Sequence, residues 1–135
     1  MIYLLDTNIC IYVINRKPAG VVRRMQRHQA GTVGISAITM AELEYGASRS
    51  RYPDRNRLAL LEFLFPFAFL DFDQQAATCY GRIRHDLELR GLPIGPMDLL
   101  LAAQARSRDL ILVTNNESEF KRIEGLRVEN WTEVG

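Results

Sequence analysis

A chain of 135 residues with 47% hydrophobic and 24% charged side chains has the size and composition of one ordinary globular domain, which argues against disorder and against a disulfide scaffold. The two cysteines, Cys10 and Cys79, lie far apart with no C-x-x-C spacing, excluding a zinc ribbon or thioredoxin-type motif and pointing to a reducing compartment. The net charge of +1 by itself predicts no polyanionic partner, but residues 16–57 carry nine bases against three acids while residues 58–135 carry eight against twelve.

In chain order, Ile2-Tyr3-Leu4-Leu5 is a short apolar run ending at the cap cluster Asp6-Thr7-Asn8, so a buried strand feeds a helix. An acid at position 6 and the lack of a basic leader rule out a signal peptide, and the expected location is the cytoplasm. The run Ile9 to Ile14 is apolar on all sides, as for a helix buried in the domain or against a partner. Pro18 starts a basic amphipathic helix expected to reach about Ala30. Val33-Gly34-Ile35 is a second strand, and Ser36 caps a helix over 37–50. Pro53 opens a helix with Leu58, Leu61 and Phe65 at helical spacing, stopped by Pro66.

Phe67 to Phe72 reads as a third strand. The alternating Phe63, Phe65, Phe67 and Phe69 straddle Pro66, so they belong mainly to the core and partly to an interface. The stretch Leu58 to Phe72 is too short and too interrupted to span a bilayer. A long helix over 74–90 ends at Gly91, Gly95-Pro96 breaks the chain, and Asp98 starts a helix through Ala105. Leu110 to Val113 is a fourth strand, followed by a turn at Thr114-Asn115-Asn116 and a short helix around Glu119–Arg122. Leu126-Arg127-Val128 is an edge strand. Short apolar strands alternating with helices predict an α/β fold, a three-layer α/β/α domain over 1–135 around a central parallel sheet. Ligands in such sheets sit beyond the carboxyl ends of the strands, where Asp6 and Asn115-Asn116 fall.

Four acids stand out. Glu42 lies on the apolar side of its helix, near Ile38 and Tyr45, whereas Glu44 falls on another flank. Asp98 leads the stripe Asp98, Leu101, Ala102, Ala105; Asp6 directly follows the first strand; Glu119 opens the short helix beside Phe120. Each has a plain structural alternative: a helix cap for Asp6 and Asp98, a dipole partner for Glu119, an ion pair for Glu42. Taken together, four carboxylates drawn toward strand ends would repel one another unless a cation neutralised them, and an oxygen-only set without His or Cys selects Mg²⁺ or Mn²⁺. No phosphate-binding loop, dinucleotide fingerprint or nucleophile elbow competes. His28 and His85 lack spaced partners and read as surface or helix residues; Cys10 reads as core. Fifteen of the 17 bases are arginine, which grips phosphate bidentately. Arg23, Arg24, Arg27, Arg49 and Arg51 are therefore candidates for a phosphate-binding face, with a solvated helix face as the plain alternative.

Leu4-Leu5-Asp6-Thr7-Asn8, Ala41-Glu42-Leu43 with Gly46, Ile94-Gly95 with Asp98 and Ala102-Ala103, and Thr114-Asn115-Asn116 with Glu119-Phe120 stand in the order and spacing of PIN domains. Over essentially its whole length the chain resembles the VapC toxins of bacterial VapBC toxin–antitoxin modules. The resemblance implies a metal-dependent endoribonuclease in which Asp6, Glu42, Asp98 and Glu119 match the family's acidic quartet, with Thr7 and Asn115 as supporting polar positions. Many PIN domains carry an aspartate where this chain has Asn116, which leaves Glu119 as the last acid. The Thr114-Asn115-Asn116 and Glu119-Phe120 pattern is similar to the branch that cuts initiator tRNA in its anticodon loop. The resemblance further implies a homodimer silenced by a VapB-type antitoxin whose C-terminal segment lies over the active site, with helix 9–14 part of that groove. The alternatives are a catalytically silent PIN-like RNA-binding or scaffold module and a structure-specific DNA nuclease of related fold.

Overall fold

The computed structural model describes residues 1–132; residues 133–135 of the expected 1–135 domain lie outside the described residues. Five strands, β1 (Tyr3–Leu5), β2 (Val33–Ser36), β3 (Ala68–Leu70), β4 (Ile111–Val113) and β5 (Arg127–Glu129), form an all-parallel sheet in the order β3-β2-β1-β4-β5. Registers of β1 run Leu4 to Gly34 on one side and Leu4 to Leu112 on the other. Between the strands stand α1 (Thr7–Asn15), α2 (Ala19–Gln26), α3 (Ala37–Ser48), α4 (Pro53–Leu64), α5 (Gln74–Leu89), α6 (Pro96–Ser107) and α7 (Glu117–Phe120).

Alternation along β1 separates two cores. Leu4 points to the face covered by α5 and α6, with Ile83, Leu87, Leu101 and Leu112. Leu5 points to the opposite face, with Ile9, Val21, Ile35, Leu60 and Trp131. This is the expected three-layer α/β/α arrangement, and a sheet buried on both faces explains why its strands read as unbroken apolar runs. Among the described residues no helix is long and apolar enough to cross a membrane.

Several local expectations shift. Helix α2 stops at Gln26 rather than near Ala30: Arg27 N and His28 N donate to Arg24 O and Met25 O, a tightened last turn, and a 3₁₀ turn over Ala30–Thr32 leads into β2. His28 is half-buried in an aromatic stack, 5.0 Å from Trp131 and 4.6 Å from Tyr3, rather than on open surface. The third strand keeps only Ala68–Leu70 of the expected 67–72, and the last short helix begins at Glu117, two residues early. On α4 the buried residues are Leu60 and Leu64, while Leu58, Leu61 and Phe65 face outward. The phenylalanines divide accordingly: Phe63 and Phe67 pair at 5.1 Å, whereas Phe65 is 90% exposed.

Candidate active site

In this strand order the chain leaves β1 toward β2 on one side and leaves β4 toward β5 on the other. The crevice beyond the carboxyl ends of β1 and β4 is therefore the topological switch point, where open α/β sheets bind ligands. Asp6 sits there as the N-cap of α1. Its backbone N–H donates to Val113 O at 2.9 Å, and its side chain is only 5% exposed. Ile9 N donates to Asp6 Oδ1 at 2.9 Å and the buried hydroxyl of Thr114 donates to Oδ2. Burial raises the Asp6 carboxyl above the ordinary range, these two hydrogen bonds pull it back, and the charge of Glu42 pushes it up again. The cap role and the place in the site are thus compatible in one residue.

Glu42 arrives from α3, which Ser36 caps by accepting from Ile38 N at 2.9 Å. Thr7, the first residue of α1, donates its hydroxyl to Glu42 Oε1 at 2.7 Å. Glu44, on the other flank, instead lies 3.6 Å from Arg57 of α4. Asp98 enters from the first turn of α6 after the Gly95-Pro96 break. Its carboxyl is pushed up to about 6, by burial first and then by the charges of Glu119, Asp6 and Glu42. Glu119, Asp6 and Glu42 thus all lie within electrostatic reach of Asp98. Glu119, on α7, accepts from the Asn116 side chain through Oε2 and from Gly95 N at 3.3 Å through Oε1.

A further connection ties α3 to α6. Ser36, the α3 cap, donates to the buried Gln104 of α6, whose amide in turn donates to Leu70 O at 3.3 Å. The helix carrying Asp98 is thereby fixed to the cap of the helix carrying Glu42.

The donor set is all oxygen, mutually repelling and half-buried, which fits a hard divalent ion. Among the described residues no three His, Cys, Asp or Glu side chains are drawn into a closed ligand geometry. Asp6, Glu42 and Glu119 are instead each held by a hydrogen-bond donor of the protein. Each carboxylate oxygen has two acceptor sites, so these tethers leave acceptor capacity unused.

The supporting polar residues divide. Thr7 and Asn116 bind acids, whereas Asn115 donates to the Tyr12 hydroxyl at 2.8 Å. Thr114 is the residue that sequence reasoning left as a turn: fully buried, it donates to Asp6 and accepts from Asn116 N at 2.9 Å. Its signal was a threonine closing an apolar strand just ahead of Asn115. Of the arginine candidates, Arg49 lines a groove of about 440 Å³ together with Thr7 and Glu42. Arg24 goes to Glu129 on β5, at 3.5 Å. Arg51 lies over the Tyr52 ring at 5.5 Å, and Arg23 and Arg27 are exposed at the end of α2. Cys10 is fully buried, and burial together with the charge of Asp6 pushes its thiol far up, so it is inert packing.

A parallel sheet carrying acids at its switch point defines a class, and the chain matches the PIN domain family over residues 3–126: it belongs to that family. It is 48% identical over 130 residues to the tRNA(fMet)-specific endonuclease VapC of Shigella flexneri, covering 96% of this chain and 98% of that protein. Chains of two solved complexes superpose closely. DNA-bound VapBC from Salmonella typhimurium gives a TM-score of 0.92 at 43% identity, covering 97% of this chain and 98% of the other. VapBC2 from Rickettsia felis, bound to a DNA fragment from their promoter, gives 0.91 at 43% identity, covering 97% and 99%.

Proposed function

We propose that this protein is a metal-dependent endoribonuclease, the toxin of a VapBC-type module, acting in the cytoplasm and silenced by a VapB-type antitoxin. The observation that carries the reading is Asp98, whose carboxyl is driven to about 6 by burial and by three other acids at the carboxyl end of a parallel sheet. Acids brought together at such a crevice cost the fold stability and suit metal-assisted phosphodiester cleavage. The similarity to VapC proteins named as an endonuclease and as ribonucleases, and to VapBC complexes, supports both the activity and the partner.

Asp6, Glu42, Asp98 and Glu119 would hold Mg²⁺, with Mn²⁺ as a substitute. A bound divalent ion supplies Lewis acidity, lowering the pKa of water and offsetting charge on the phosphodiester. The chain's own residues do the rest. Thr114 and the Ile9 amide fix the plane of the Asp6 carboxylate, Thr7 fixes Glu42, and Asn116 with the Gly95 amide fixes Glu119. Preset carboxylates need no reorganisation when substrate arrives. Arg49, in the same groove as Glu42, is placed to hold a backbone phosphate. No side chain has to become covalently attached to the substrate.

The finer assignments belong to the same reading: initiator tRNA cut in its anticodon loop, supported by the name of the Shigella relative, and a homodimer. The test is to incubate antitoxin-free protein with total tRNA in EDTA and then in excess Mg²⁺ or Mn²⁺, mapping the new 5′ ends. Cleavage restored by the ion, at one position in one tRNA, is the expected result. Cleavage unchanged in EDTA would sink the metal reading, and cuts scattered over many RNAs would sink the tRNA assignment.

A further inference from the structure

We propose that Tyr45, backed by Arg49, is a stacking platform for an unpaired nucleobase next to the phosphate to be cut. The inference rests on the ribonuclease reading above and adds to it a residue that reads the shape of the RNA.

Glu42, Tyr45 and Gly46 of α3 and its C-cap Arg49 recur at i, i+3, i+4 and i+7, so they share one face of the helix. All four line the groove of about 440 Å³ that also takes in Thr7 and Met97. Tyr45 is 68% exposed, an aromatic ring left largely in water three residues from a candidate catalytic acid. The Arg49 guanidinium lies 5.6 Å from the centre of that ring, within cation–π range. With Arg49 over one face of the ring, the pair offers the ring's other face to a base and a positive charge to a phosphate, the two groups of a flipped-out nucleotide.

Gly46 strengthens the case. Glycine in a helix interior is less favourable than alanine, and an ideal Cβ at this position would meet nothing within 4 Å. The fold therefore does not require glycine there. Its effect is to leave bare backbone beside Tyr45 as the floor of the groove. Met97, 44% exposed and adjacent in sequence to Asp98, lines the same groove and adds a soft apolar contact for a planar ring. Tyr52 gives an internal comparison. It is also exposed and also carries arginines, Arg51 at 5.5 Å and Arg55 at 6.0 Å, yet it is not among the residues lining the groove of Glu42.

The test uses the full chain in an Asp98→Asn background, which stops cutting, and an anticodon stem-loop RNA carrying 2-aminopurine in the loop, whose fluorescence falls on stacking. The expected results are quenching on binding, retained in Tyr45→Phe and lost in Tyr45→Ala with affinity about 10-fold or more weaker. The slope of log K against log salt stays unchanged in Tyr45→Ala and drops by about 0.7 in Arg49→Ala. Gly46→Leu, which fills the floor without breaking a helix, should weaken binding as Tyr45→Ala does, and Tyr52→Ala should bind as the parent. Equal affinity and equal quenching in Tyr45→Ala would overturn the platform while leaving the ribonuclease reading intact. So would a Tyr45→Ala protein that loses affinity for the antitoxin but not for RNA, since the groove would then belong to the peptide. A parent protein that binds no RNA at any salt concentration would overturn the ribonuclease reading itself, and the platform with it.

Discussion

The hydroxyl of Thr7 reaches Glu42 Oε1 at 2.7 Å, joining the first residue of α1 to the middle of α3 across 35 positions of chain. It is a direct link between the two helices that follow β1 and β2, and it sets where one carboxylate faces. Thr7→Val keeps the shape and removes the donor, so the expected cost in folding stability is about 1 kcal/mol. Cleavage should fall by about 10-fold to 100-fold, the usual loss when a group that orients a metal ligand is removed. Thr7→Ser should restore most of it. Tm and initial rates on a tRNA substrate measure both, and a Thr7→Val protein with full activity would show that Glu42 needs no orientation.

Glu42 and Glu44 are chemically identical and two residues apart, yet they face different structures. Glu42 meets Thr7 in the groove, while Glu44 lies near Arg57 on the surface of α4. Glu42→Gln should reduce cleavage at least about 100-fold by removing charge stabilisation at the reacting phosphate. Glu44→Gln loses one exposed ion pair, with an effect on stability below about 1 kcal/mol and none on rate. Parallel rate loss in the two variants would contradict this division of the helix.

The Asp98 carboxyl titrates near 6 in the folded protein against an ordinary value of 3.8, because burial and the charges of Glu119, Asp6 and Glu42 all disfavour its ionised form. Between those two values the native state holds a proton that the unfolded chain has released. Stability of the ion-free protein therefore falls as pH rises from about 4 to about 6 and stays lower above that. Asp6, raised in the same direction, adds to the trend. Asp98→Asn should melt above the wild type at pH 7.5 in EDTA and lose that advantage below pH 4. Melting curves across this range decide it, and a variant less stable than wild type at pH 7.5 would refute the repulsion.

Much of this site could be read in the sequence because its acids stand next to local signals. Asp6 follows an apolar run and opens a helix, and Asp98 follows Gly95-Pro96. Such capping and breaking rules act over a few residues, so they survive without tertiary information. The parallel sheet buried on both faces also followed from short apolar strands alternating with helices, whereas the order β3-β2-β1-β4-β5 was not legible in those runs. What could not be read depends on long-range contacts. Nothing local tells that Asn115 turns to Tyr12 across 103 positions, or that Thr114 bonds Asp6 across 108. The outward face of α4 misled for a related reason: Leu58, Leu61 and Phe65 have helical spacing, but Leu60 and Leu64 have it too, and only packing decides which stripe is buried.

The basic segment of residues 16–57 separates in the same way, and the separation can be measured. Arg49 shares the groove of Glu42, Arg51 lies over Tyr52, and Arg24 is committed to Glu129, whose Oε1 also accepts from the Trp131 indole at 3.1 Å. A guanidinium already paired with a carboxylate in a partly buried position gives up that partner only at a cost, so Arg24 is the weakest phosphate contact of the set. For single-stranded RNA each phosphate contact contributes about 0.7 to the slope of log K against log salt. Removing Arg49 should therefore lower the slope by about that amount and weaken all RNAs alike, leaving the cleavage position unchanged. Arg24→Ala should leave the slope as it is and lower Tm instead, since it frees Glu129 and loosens the packing around Trp131. Arg23→Ala and Arg27→Ala, at the exposed end of α2, test whether the RNA extends to that face. Binding of an Asp98→Asn protein to a tRNA hairpin at four or five salt concentrations reads all of these. A slope that falls in Arg24→Ala and stays fixed in Arg49→Ala would reverse the assignment and move the RNA from the groove beside α3 to the face of α2 and β5.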